Sequence, residues 1–181
     1  MIIQSINTGK RKEIQWKGNT YATGIYKSSV EGPLFLRKDG FESDHVVDRK
    51  HHGGADMAIY AYGYNHYAYW EELFPSLKLN YGFMGENLTV SNLDESSIHV
   101  GDVFGLGDAI VQVTKPRQPC FKLGIRFNDQ SVISEMWNNG KCGMYFSVLK
   151  TGKTVIKDEL KLIDKAKNTP SITEVFKSKR S

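Results

Sequence analysis

The stretch Ile98 to Thr114, IHVGDVFGLGDAIVQVT, holds three short apolar runs, Ile98 to Val100, Asp102 to Leu106 and Ala109 to Thr114, cut by the corners Gly101-Asp102 and Gly107-Asp108. Short alternating runs bounded by glycine and aspartate read as β-strands. Strands this close together favour an antiparallel barrel or sandwich over a doubly wound sheet. The expected class is mainly β (α+β), an antiparallel barrel-like fold with a few flanking helices.

The rest of the chain agrees with that class. Ile2 to Ile6, Thr20 to Tyr26 and Leu34 to Leu36 are further strand candidates, separated by Gly, Asn and Pro. From Tyr64 to Phe74 the period changes: Tyr62, His66, Trp70 and Leu73 fall at helical spacing and Pro75 supplies a stop. Asp129 is placed to cap a helix running to about Trp137, with Asn138-Asn139-Gly140 as its exit. Met144 to Leu149 and Thr154 to Ile156, joined through Thr151-Gly152-Lys153, read as a hairpin. One domain is expected over residues 1–164, followed by a short polar tail over 165–181.

Totals narrow the function classes. With 181 residues, 40% hydrophobic and 24% charged, the chain has ordinary globular composition. It shows no basic-then-apolar leader and no run long enough to span a bilayer, and its two cysteines form no disulfide framework. A cytoplasmic protein without a membrane partner is expected. The net charge of +4 is concentrated at the end: from Lys150 onward nine Lys/Arg face four Asp/Glu, which leaves residues 1–149 at about minus one. A solvated basic tail explains this, and no nucleic-acid partner is expected.

The strand Ala109 to Thr114 delivers the chain to Lys115-Pro116-Arg117-Gln118-Pro119-Cys120. Each proline fixes φ and removes a donor, so the segment is a stiff extended loop suited to positioning a side chain. If Phe121 to Phe127 turns helical, Cys120 sits at a helix start, where the dipole and Arg117 both favour the thiolate. Cys120 is thus either a held nucleophile or metal ligand, or a small buried hydrophobe. Cys142 reads as the latter.

Two more segments carry polar groups. In Asp48-Arg49-Lys50-His51-His52-Gly53-Gly54-Ala55-Asp56, imidazoles and carboxylates permit a zinc or iron site. The same residues also permit an anion site on the glycine backbone with Arg49, Lys50 and a histidine around it, or a plain polar loop. In Gly85-Glu86-Asn87-Leu88-Thr89, Glu86 is a candidate acid or base and Asn87 a candidate ligand amide. A turn is the plainer reading of Glu86, and a packed, hydrogen-bonded role the plainer reading of His66.

Taken together, Thr23-Gly24-Ile25-Tyr26-Lys27, His52-Gly53-Gly54, Gly85-Glu86-Asn87-Leu88 and Pro116-Arg117-Gln118-Pro119-Cys120, in this order, resemble the MOSC family. This is the domain related to the C-terminal part of molybdenum cofactor sulfurases, and the resemblance is to its small stand-alone bacterial members of the YiiM type. It implies a barrel-like fold that binds the molybdenum cofactor (molybdopterin), with Cys120 as catalytic residue and molybdenum ligand. It further implies Arg49, His52 and Arg117 near the cofactor's phosphate and pterin, Thr23, Asn87 and Thr114 as hydrogen-bond partners, and Lys122 as an additional cation.

The activity implied is reduction of N-hydroxylated bases such as 6-N-hydroxylaminopurine to amines, independent of pyridoxal phosphate. The sequence has neither an iron-sulfur cysteine pattern nor a dinucleotide fingerprint, so an external electron-donor reductase is the expected partner. A persulfide sulfur carrier acting through Cys120, a cofactor-binding or storage module without turnover, and a zinc hydrolase built on the histidines are the alternatives.

Overall fold

The Gly107-Asp108 corner needs its glycine. Gly107 has a left-handed φ of 56°, and a side chain there would meet the Lys153 carbonyl oxygen at 2.4 Å. In the computed structural model, which describes residues 1–45 and 54–180, this corner is one of many short returns. The chain forms β1 (Ile3–Gly9), β2 (Lys12–Trp16), β3 (Asn19–Thr23), β4 (Lys27–Ser29), β5 (Leu34–Arg37) and β6 (Gly40–Phe41). A 3-10 turn at Ala55–Met57 precedes β7 (Ile59–Gly63), and a second at Tyr64–His66 leads into α1 (Tyr67–Leu73). Next come β8 (Leu88–Val90), β9 (Val103–Leu106), β10 (Ala109–Pro116), α2 (Phe121–Phe127) and α3 (Ser131–Asn139). The last elements are β11 (Met144–Lys150), β12 (Gly152–Thr154), β13 (Leu160–Asp164) and α4 (Ile172–Ser178).

Eight strands form one sheet in the order β13-β9-β10-β11-β7-β8-β1-β4, beside a three-stranded sheet, β12-β5-β6, and the hairpin β2-β3. The pairing is antiparallel except between β7 and β8, which run parallel. The large sheet curls until the start of β13 meets the start of β1, one strand in from the other edge: Ile3 donates to the Asp158 carbonyl at 3.0 Å and Leu160 to the Met1 carbonyl at 2.7 Å. There the ladder reduces to a single bridge, Ile2 to Glu159, so the barrel-like sheet is not a closed ladder.

Alternation places the core. Along β10, Ala109, Val111 and Val113 are buried while their neighbours are half-buried, and Met144, Phe146 and Val148 of β11 face the same interior. The helical stripe is partly as expected: Tyr62, His66 and Trp70 are buried, with the Trp70 indole donating to the Tyr62 hydroxyl at 2.5 Å, but Leu73 is exposed.

Two expectations change. Ile98 to Val100 is a turn with an isolated bridge rather than a strand. Gly152 makes no hairpin: β12 pairs with β5, and a Cβ at Gly152 would lie 2.5 Å from the Asp108 carbonyl carbon. Its glycine therefore serves a close crossing of two backbones. The stretch from Lys165 onward, polar in composition, contains α4, whose Ile172 and Phe176 are buried. Ser171 caps α4 in a reciprocal box with Glu174, and the Phe176 ring stacks on Trp137 of α3 at 4.4 Å.

Asp102 ties this segment to the barrel. It is fully buried and accepts from the His99 and Ala166 amides, each at 2.9 Å, and from Lys165 Nζ at 2.7 Å. Burial alone would raise its pKa, but these donors hold it below the usual carboxylate value.

Replacing Phe176 by Ala is expected to lower unfolding free energy by about 3–5 kcal/mol in denaturant titration. Stability supplied by ionised Asp102 is complete above the unfolded carboxyl pKa of about 4 and is lost as pH falls through the lower folded value. Asp102→Asn should therefore lower stability at neutral pH and flatten the acid limb of a stability-versus-pH curve.

Candidate functional site

β10 ends at Pro116, paired with Met144 of β11, and the chain then leaves the sheet edge for four residues before α2 begins. Cys120 is the residue that opens α2, in an extended conformation at φ −132° and ψ 167°. Its half-buried thiol, which forms no disulfide, lines a cavity with about 670 Å³ of empty space, part of it open to solvent. Thr23, Lys27, Asn87, Arg117 and Lys122 also line this cavity, so segments from three distant parts of the sequence meet there.

Arg117 is buried, with its guanidinium 4.8 Å from the Tyr60 ring and donating to the Met84 carbonyl. Burial works against its charge, but Tyr60, Tyr145 and the neighbouring Cys120 more than offset this and raise its pKa. A fixed positive charge therefore stands beside the thiol. It favours the thiolate, the form that attacks or binds metals.

The cavity lining also includes a buried ion pair. Lys27 Nζ lies 2.5 Å from Asp44, and both side chains are almost wholly inaccessible. Burial lowers the Lys27 pKa despite the favourable effect of Asp44. Asp44 also accepts from the Gly9 amide at 2.8 Å and from Asn87 Nδ2 at 2.7 Å.

The expected site residues are thus distributed as follows. Cys120, Arg117, Lys122, Thr23 and Asn87 converge. Lys122 Nζ donates to the Ala22 carbonyl at 3.1 Å, and the Thr23 hydroxyl accepts from the Ile25 amide at 3.1 Å. The Asn87 amide is engaged by the protein: it accepts from the Tyr60 amide at 3.1 Å and donates to Asn7 and Asp44. Asn87 therefore positions the wall that it lines. Thr114 is not among the described residues that line the cavity. Its hydroxyl donates to the Asp56 and Tyr145 carbonyls, at 2.6 and 3.1 Å, and ties a strand to a turn. Arg49 and His52 lie outside the described residues.

Glu86 is fully buried, accepting from Gly82, Tyr67 and Thr89 on one oxygen. Burial raises its pKa against those bonds. His66 is a packed residue, bonded to both Glu95 oxygens at 3.1 and 3.0 Å.

Lys27, Asp44, Tyr60 and Tyr145 line the cavity without a role expected from the sequence. Lys27 closes the quoted Thr23 to Lys27 motif and was findable there, whereas Asp44 sits in a loop with no local pattern. Among the described lining residues the cations Lys27, Arg117 and Lys122 face one carboxylate, Asp44, beside one thiol. That set would fit an anionic group with a soft metal, one thiolate anchoring the metal and the cations of the lining facing the anion. No three His, Cys, Asp or Glu side chains converge among the described residues, so a metal held wholly by protein ligands has no set there. No helix of the described residues is long and apolar enough to cross a membrane.

Asp44→Ala would strand the buried Lys27 ammonium and leave the Asn87 and Gly9 donors without their acceptor. It is expected to cost about 3–5 kcal/mol in chemical unfolding.

Comparison with known proteins places this arrangement in context. The family model described as "MOSC domain" matches residues 48–161. The uncharacterized protein YflK of Bacillus subtilis is 37% identical over 170 residues, covering 94% of this chain and 76% of its own length. A protein printed "Reductase" from Gibberella moniliformis is 32% identical over 151 residues, 82% of this chain but 27% of the relative. The crystal structure of YiiM from Geobacillus stearothermophilus superposes with a TM-score of 0.80 at 33% identity, covering 97% of this chain and 81% of that one.

Proposed function

This chain belongs to the MOSC domain family, and from that premise we propose that it is a molybdenum-cofactor-dependent reductase of N-hydroxylated bases, such as 6-N-hydroxylaminopurine, with Cys120 as the metal ligand. The observation that carries the reading is the pairing of the Cys120 thiol with buried Arg117 on the wall of a cavity whose cations outnumber its carboxylates. The reductase name borne by the Gibberella relative supports the same class of chemistry.

In this reading Cys120 Sγ would hold the metal, and Arg117 and Lys122 would face the anionic part of the cofactor. Thr23 would offer its hydroxyl, and the family resemblance adds Arg49 and His52, which lie outside the described residues. The bound cofactor supplies two electrons and a site that accepts oxygen. The net reaction is R–NHOH + 2 H⁺ + 2 e⁻ → R–NH₂ + H₂O, in which the N–O bond breaks and nitrogen is reduced. Two protons are consumed, and Lys27 with Asp44 is the proton-bearing pair on the cavity wall. The electrons come from a separate reductase.

A persulfide carrier is the second reading, favoured by the same thiol beside the same guanidinium. The deciding experiment is expression in a host that makes the cofactor, followed by metal analysis of wild type, Cys120→Ala and Cys120→Ser. Near-stoichiometric molybdenum in wild type is expected, lost in both variants, with reduction of 6-N-hydroxylaminopurine falling roughly a hundredfold or more, beyond the loss usual for outer-shell changes. A molybdenum-free wild type bearing a sulfane adduct on Cys120 would replace this reading with the carrier.

A further inference from the structure

Two tyrosines stand side by side on the wall of the Cys120 cavity, and their hydroxyls differ in what they do. Tyr60 of β7 and Tyr145 of β11 are cross-strand partners with ring centroids 5.2 Å apart, and both line the cavity. The Tyr60 hydroxyl is spent within the protein: it donates to the Cys142 carbonyl at 2.8 Å, while its ring carries the Arg117 guanidinium at 4.8 Å. The Tyr145 hydroxyl forms no hydrogen bond among the described residues. Nor is it walled in. The enclosed side-chain atoms without partners among the described residues are Glu86 Oε2, Arg126 Nε, Asn139 Nδ2 and Thr169 Oγ1, so Tyr145 Oη is open to water.

Tyr145 pairs with Lys115 on β10, the strand that runs out toward Cys120. Burial raises its pKa against the pull of Arg117, and the nearby Cys120 acts in the same direction as burial. The phenol therefore stays protonated, and a donor, at neutral pH. Its neighbours on the lining are already engaged: Lys27 with Asp44, Lys122 with the Ala22 carbonyl, and Asn87 with Asn7 and Asp44. Tyr145 thus brings an uncommitted neutral donor to the cavity that holds the thiol.

An N-hydroxylated base differs from its amine product by one oxygen atom, which is a neutral acceptor. The product's amino nitrogen has its lone pair delocalised into the ring and offers no comparable acceptor. Resting on the reductase reading, we propose that Tyr145 recognises that oxygen, its hydroxyl donating to the N–O oxygen of bound substrate and losing its acceptor once the oxygen has gone. One donor then both selects substrate and favours release of product.

The test is equilibrium binding of 6-N-hydroxylaminopurine and of adenine to protein purified from a cofactor-making host, with no electron donor present so that nothing turns over. Wild type should bind the hydroxylated base tenfold or more tightly than adenine. Tyr145→Phe removes one oxygen and breaks no hydrogen bond of the folded chain, so its unfolding midpoint and its adenine affinity should match wild type while the preference falls to near one. A wild type without the preference, or a Tyr145→Phe protein that keeps it, would overturn the proposal. Molybdenum is measured on the same samples. A metal-free wild type whose preference still depends on Tyr145 removes the reductase reading alone, and a molybdenum-loaded wild type with no preference removes the Tyr145 assignment alone.

Discussion

Asn87 commits its side-chain amide and both of its backbone groups to chain segments far from it in sequence. Its carbonyl accepts from Asn7 at 2.7 Å and its amide donates to the Tyr60 carbonyl at 2.8 Å, while its side chain bonds Tyr60, Asn7 and Asp44. One residue thereby extends β8 between β1 and β7, the place where the sheet admits its parallel pair. A buried amide with every group engaged fixes register, because any slip would leave donors and acceptors unpaired in a low-dielectric interior. Asp44 and, through it, Lys27 inherit their positions from that lock.

The same economy explains the sharpness of the segment before Asn87. Gly85 has φ 83°, and a Cβ there would lie 2.8 Å from the Ile25 side chain. Only a glycine lets the chain pass that close to the Thr23 to Lys27 motif, which forms part of the cavity wall. Arg117 is placed from the far side by the neighbouring Met84 carbonyl. Cavity shape and cavity charge are therefore set by the same three or four residues of backbone.

Much of this fold was readable because it is local. Alternation marked β9 and β10, proline stiffness marked the loop to Cys120, and Phe121 to Phe127 is the helix expected after it. Partnerships were less readable. Gly152 looks like a turn residue, and only the approach of the Asp108 backbone shows it to be a crossing point. The polarity of residues 165–180 hid α4, because a short helix needs just two buried side chains, Ile172 and Phe176, to dock. At the site, the motif residues Cys120 and Arg117 announced themselves through unusual neighbours. Thr114, which the family resemblance implied as a hydrogen-bond partner, spends its hydroxyl on two backbone carbonyls. Asp44 carried no signal, since its role depends on a lysine 17 residues away in sequence.

The unequal burial of the two thiols has a practical consequence. Cys142 is wholly enclosed, and burial pushes its thiol well above the ordinary pKa, whereas Cys120 lines an open cavity. A thiol-directed alkylating reagent thus distinguishes them without any engineering. The native chain carries its own single labelling position, and the rate at which Cys120 is alkylated becomes a direct gauge of how full the cavity is.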